Sequence, residues 1–175
     1  MLTITYVDFD DAGFTVVDDD IFEVDLEGWM QTIEAGSGMS FFRSTVKSRT
    51  GVASAQHGQG LASLESGDVV YTKKSFTIGA ITRAFFRVWM LIEADSTTEV
   101  IVEVITDAGE VSQKMTLAIP FDWNPKGGTK VCDQWVVAVL KVPVNGTFEV
   151  RLRLEVESMN LNQAVNWDDI RVVQS

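Results

Sequence analysis

Alternation of apolar and polar positions with a period of two dominates the chain. In "FEVRLRLEV" (148–156), Phe148, Val150, Leu152, Leu154 and Val156 fall on one side and Glu149, Arg151, Arg153 and Glu155 on the other. That is the pattern of a strand with one face on a core and one in water. "EVIVEVI" (99–105) repeats it, with Val100, Val102 and Val104 on the inward side. "AFFRVWMLI" (84–92) and "WVVAVLKV" (135–142) are apolar almost without interruption, which predicts central strands and places Trp89 and Trp135 in the core.

Turn chemistry fits between these runs. "DAG" (107–109) separates two alternating segments and predicts a hairpin. Asn145-Gly146 is the strongest short hairpin signal, because both residues tolerate the positive φ of a type I′ turn. Asn145-Gly146-Thr147 also spells a glycosylation acceptor, although the turn alone accounts for it. No 11-residue window carries helical periodicity behind a capping box. About ten to twelve short strands, with turns every 8 to 12 residues, predict an all-β, antiparallel jelly-roll β-sandwich. Neither a repeat nor a low-complexity linker divides the 175 residues, so the expectation is a single domain over 1–175, long enough to bury a sizeable core.

Charge changes the picture more than composition does. The net charge of −11 argues against nucleic acid, which requires a positive footprint. Residues 1–42 hold ten acids and no Lys or Arg. The excess lies almost wholly in that first quarter, centred on Asp18, Asp19 and Asp20, a candidate docking surface for a basic partner. No apolar run is long enough for a membrane span, and the start "MLTITYVDFDD" lacks the basic and apolar regions of a signal peptide.

Chemistry is sparse. A single cysteine, Cys132, rules out an intramolecular disulfide, and its neighbours Val131 and Asp133 offer no cation to activate it, so a small buried hydrophobe is expected. The one histidine, His57, sits in "AQHGQG" and reads as a surface turn residue. Walker, Rossmann, zinc and G-x-S-x-G patterns are all missing, and no acid pair is flanked by aromatics as a glycosidase would need. The expectation is a protein that is not an enzyme.

The two ends of the chain look related. "YVDFDDAGF" (6–14) and "DLEGWMQ" (25–31) stand near the start, and "VNWDDIRVV" (165–173) near the finish. "AQHGQGLASLE" (55–65), "KSFTIG" (74–79) and "DQWVVAVLKV" (133–142) lie between them. That order resembles the jelly-roll sandwiches of the carbohydrate-binding-module and MAM-like type, over nearly the whole chain and through short motifs. The resemblance implies that the chain ends pair as neighbouring strands and that their acids hold a structural calcium ion. Asp8 and Asp10 match the N-terminal acids, and Asp168 or Asp169 the C-terminal pair. The sequence departs from the pattern at Asp10, where glutamate is usual, and in the longer insertion "TVVDDDIFEV" (15–24).

Calcium takes six to eight oxygen ligands, and acids gathered from two chain ends would repel without a cation. In a regular strand Asp168 and Asp169 point to opposite faces. Either a bulge re-aims one of them, or one binds the ion while the other meets solvent or an arginine such as Arg171. The competing reading is that these acids accept backbone N–H bonds at turns.

Five tryptophans complete the inventory. Trp29 and Trp167 are placed to cover the sandwich ends. Trp123, with Phe121, lies in the long irregular stretch "IPFDWNPKGGTKVCDQ" (119–134) and forms the one sugar platform the sequence suggests, or else a loop anchor on the core. Two functional readings result. The first is a structural or assembly protein of a bacteriophage virion, a capsid decoration or tail-associated protein, made in the host cytoplasm and partnered by other protein subunits. The second is a carbohydrate-binding module or adhesin that recognises surface glycans in an extracellular or cell-surface setting.

Overall fold

The computed structural model describes residues 13–36, 41–58, 67–79, 82–93, 98–118, 135–156 and 164–175. Among them run eleven strands: β1 (Thr15–Asp20), β2 (Met30–Ala35), β3 (Phe41–Ser44), β4 (Ser54–Gly58), β5 (Val69–Ile78), β6 (Ala84–Glu93), β7 (Thr98–Thr106), β8 (Val111–Ala118), β9 (Trp135–Lys141), β10 (Gly146–Val156) and β11 (Ala164–Gln174). They form two antiparallel sheets. One has the order β3-β4-β11-β6-β9 with β1 also on β11; the other has the order β2-β5-β10-β7-β8. This is the expected jelly-roll sandwich.

Period-two burial builds the core. Phe148, Val150, Leu152 and Leu154 of β10 are buried, as are Phe86, Val88 and Met90 of β6 and Val165, Trp167, Ile170 and Val172 of β11. Phe76 of β5 stacks on Phe148 with centroids 5.6 Å apart and meets Phe86 of the opposite sheet at 6.2 Å. Each such ring removed from water contributes about 2–3 kcal/mol. β7 exceeds expectation: Val100, Val102 and Val104 face the core, and Ile101, Glu103 and Ile105 on the other face are buried too.

The 107–109 turn is a hairpin between β7 and β8, with Gly109 at φ +79° and its N–H bonded to the Thr106 carbonyl. Asn145-Gly146 is not a hairpin. β9 pairs with β6 and β10 with β5 and β7, so this turn passes the chain from one sheet to the other. Asn145 takes the left-handed conformation at φ +59°, but Gly146 lies at +147°, outside the type I′ geometry. The dipeptide marks a tight turn, while the identity of the strands it joins is set by packing.

One side of β11 is divided. Its first half, Ala164–Trp167, pairs with β4, and its second half, Ile170–Gln174, pairs with β1. β6 pairs along the other side, with a register shift between Asp168 and Arg171. β11 therefore pairs with the first described strand, β1, which lies in the segment 15–24 read as an insertion, while Asp8 and Asp10 of the expected partner segment lie outside the described residues. Asp168 and Asp169 fall in the gap between β4 and β1.

Candidate functional site

A bulge defines that gap. Asp169 has φ +46°, the left-handed geometry that lets an extra residue enter a strand. Asp168 is fully buried: Oδ2 accepts the backbone N–H of Arg49 at 2.7 Å and of Thr50 at 3.2 Å, and Oδ1 accepts that of Asp169 at 2.9 Å. Asp169 accepts the Arg49 guanidinium on one oxygen and the Thr50 hydroxyl on the other. The pair thus replaces the ladder that β4 and β1 leave open and fastens the segment 45–53 to the sheet. Burial pushes Asp168 up to about 6, against the three N–H bonds that favour its charged form.

Both the bulge and the backbone-accepting role were among the sequence alternatives. The arginine that meets Asp169 is Arg49, whereas Arg171 pairs with Asp19 at 3.0 Å. Calcium at this pair would have to displace the Arg49 guanidinium. Asp8 and Asp10, which were expected to share the ion, lie outside the described residues, as do Phe121, Trp123 and Cys132.

The acids of β1 are occupied within the chain. Asp20 is buried and accepts Lys74 Nζ at 2.6 and 2.8 Å and the Trp29 indole N–H at 2.9 Å. Lys74 also reaches Asp18 at 3.2 Å. It stands on β5, so this contact links the two sheets at one end of the sandwich. Trp29 is core rather than cover. Of the expected docking surface, Asp18 is partly exposed and Asp19 exposed.

Two further expectations are corrected. His57 is not a surface turn residue: it lies on β4, fully buried, beside Phe41 at 4.6 Å and Trp167 at 6.0 Å. Its inward neighbour in register, Val165, shows why, since β4 shares the core-facing alternation of β11. Trp167 is likewise wholly within the core.

Trp89 and Trp135 are not core. Phe86, Val88 and Met90 take the inward positions of β6, and Ala138 and Leu140 those of β9. Alternation then turns Trp89, Trp135, Val137 and Val139 onto the outer face, where all four are partly exposed. Register assembles that face. Phe42, Gln56, Asn166, Leu91 and Trp135 form one row across five strands, and Asp168, Trp89 and Val137 form the next. Trp135 stands opposite Leu91, two residues from Trp89, so the indoles are diagonal neighbours about 7–8 Å apart at their backbones. The middle of the face is buried at Gln56, Asn166, Leu91 and Asp168; its open part is formed by Trp89 of β6 with Trp135, Val137 and Val139 of β9.

Sequence reasoning missed this pair because an unbroken apolar run hides which alternate set is inward. The available signal was Arg87, which shares the phase of Trp89 and Phe85.

No family model and no curated protein sequence matches the chain. Solved structures do. The K3 cleaved adhesin domain of Lys-gingipain from Porphyromonas gingivalis W83 is 11% identical with a TM-score of 0.61, over 92% of this chain and 100% of that one. The CBM22-1 xylan-binding domain of Paenibacillus barcinonensis Xyn10C is 14% identical with a TM-score of 0.55, over 91% and 94%. The enzymatically active domain of bacteriophage CBA120 tailspike protein 4 is 9% identical with a TM-score of 0.53, over 83% of this chain and 19% of that one. The chain therefore has the jelly-roll fold of carbohydrate-binding modules and adhesin domains.

Proposed function

We propose that this chain is a glycan-binding β-sandwich without catalysis of its own, and that it holds carbohydrate on the outer face of β6 and β9. The observation that carries this reading is the placement of Trp89 and Trp135 as diagonal neighbours on one face. Indole faces stack against the apolar faces of sugar rings, and two such positions side by side suit consecutive rings of an oligosaccharide. The likeness to carbohydrate-binding modules and adhesins supports it at the level of fold. An extracellular or surface setting belongs to the same proposal.

The test is a screen of the purified protein against an array of neutral and acidic oligosaccharides that includes xylan fragments. Retention of at least one glycan is the expected result, and an array with no retained glycan would overturn the reading. The virion reading has the tailspike likeness and the acidic first quarter on its side, and a virion surface is one place where such a face meets glycans. Its separate test is assembly of a variant with Asp18 and Asp19 neutralised: weakened association at low salt supports docking through these acids, and unchanged association removes it.

A structural calcium ion shared by Asp8, Asp10 and the Asp168–Asp169 pair is a further proposal, supported by the β1–β11 pairing. A melting midpoint that rises with calcium and falls with EDTA is its expected result. Identical midpoints in both would remove it.

A further inference from the structure

The open half of the outer face is not equally open at its two indoles. The Arg49 guanidinium lies 3.9 Å from the centroid of the Trp89 ring, which puts a planar cation where a stacked ring would sit. Trp135 has no such cover among the contacts of the described residues.

Arg49 belongs to the segment between β3 and β4, whose C-terminal flank is held by hydrogen bonds. Ser54 Oγ donates to the Lys47 carbonyl at 2.6 Å, and the backbone N–H groups of Val52 and Ala53 donate to Glu23 at 2.8 and 3.3 Å. Val46 and Val52 stand out in solvent. At its centre, Arg49 and Thr50 meet β11 through the carboxylates of Asp168 and Asp169. The segment is thus a strap with an anchored C-terminal flank and a polar clasp at its middle.

Trp89 itself is incompletely satisfied. Its indole N–H is buried with no hydrogen-bond partner among the described residues. A buried donor left in that state is destabilising and would be relieved by an acceptor such as a sugar hydroxyl.

We propose that Trp89 is a second sugar-stacking position beside Trp135, and that Arg49 is its internal occupant, which a carbohydrate ring displaces when the strap lifts from the Asp168–Asp169 clasp. This inference rests on the glycan reading for its ligand, but the covering of Trp89 can be tested without one. The cover is a stacking contact and an ion pair, both reversible, and Asp168 keeps the backbone N–H of Asp169 when the strap moves. A ligand that reaches only Trp135 leaves the strap in place. One that spans both positions must compete with Arg49, so affinity is held below what the two indoles alone would give.

The experiment compares wild type with Arg49→Ala and Arg49→Lys. Hydroxyl-radical footprinting reads the accessibility of the Trp89 ring in the absence of any glycan, and titration with an oligosaccharide retained by the array reads affinity. Lysine keeps a cation for Asp169 but has no planar face, so it separates stacking from the clasp. The expected result is Trp89 modification several-fold higher in Arg49→Ala, intermediate in Arg49→Lys, and affinity higher by about tenfold in Arg49→Ala. Unchanged Trp89 modification in both variants would overturn the cover, whatever the protein binds. Increased modification with reduced affinity would overturn the competition and make Arg49 a ligand contact. If wild type retains no glycan, the glycan reading fails, and the footprint alone decides whether Arg49 covers Trp89.

Discussion

The indole N–H of Trp167 donates to Nδ1 of His57 across 2.9 Å, with both side chains fully buried. That bond fixes the neutral ring with its proton on Nε2. Burial holds the His57 pKa down at about 3. A lowered histidine contributes stability that is present above the unfolded value of about 6.5 and is lost as pH falls toward the folded value. Replacing His57 with Gln keeps an acceptor for Trp167 and removes the titration. Urea unfolding at successive pH values should show wild type losing up to about 1.4 kcal/mol per pH unit more than the variant between pH 6 and 4. Parallel profiles would contradict the neutral buried ring.

Lys74 is the cation that makes a buried Asp20 tolerable, and it joins β5 of one sheet to β1 of the other. Lys74→Met should cost about 3 kcal/mol, because it strands a carboxylate away from water. Adding Asp20→Asn should recover much of the loss, since the amide oxygen still accepts the Trp29 N–H. Urea midpoints of the two single variants and the double variant check this. Additive losses would show that the pair is not coupled.

Glu27 is pushed up to about 7, first by burial and then by the hydrogen-bonded carboxyl of Asp20 and its charge. Burial raises Asp20 too, against the Lys74 and Trp29 bonds. A raised carboxyl favours the folded state most below the unfolded value of 4.5, and that advantage is lost as pH rises through 7. Glu27→Gln should therefore raise the melting temperature relative to wild type at pH 8 by more than at pH 5. An equal change at both would show that Glu27 ionises freely.

Asp168→Asn tests the clasp. The amide offers one acceptor oxygen where the carboxylate serves three backbone N–H groups, and its NH2 must face a donor. A loss of about 1–3 kcal/mol is expected, together with faster amide exchange at Arg49 and Thr50. Unchanged exchange at those two amides would show that Asp168 does not hold the strap.

What was legible in the sequence followed from alternation. β10 reads inward and outward residue by residue, and the 107–109 hairpin declares itself through glycine. The order of short motifs pointed to an N-terminal partner for β11, and the strand found there is β1, within the segment 15–24 that read as an insertion. Asn145-Gly146 misled because a dipeptide specifies backbone angles and not which strands those angles connect. His57 misled because its glycine neighbours resemble a turn, while its burial depends on Phe41 and Trp167, 16 and 110 positions away. The largest miss, Trp89 and Trp135, has the same origin: in a run apolar at both phases, facing is decided by the opposite sheet, where Phe76 meets Phe86.

The most direct test of the central claim is calorimetric titration of wild type and Trp135→Ala with one retained oligosaccharide, folding being verified by matching melting curves. Trp135 is partly exposed, so its removal leaves the core intact. Affinity should fall by about 5- to 150-fold, equivalent to roughly 1–3 kcal/mol for one stacked ring. Equal affinity for the two proteins would place the glycan elsewhere and contradict the outer face of β6 and β9 as its site.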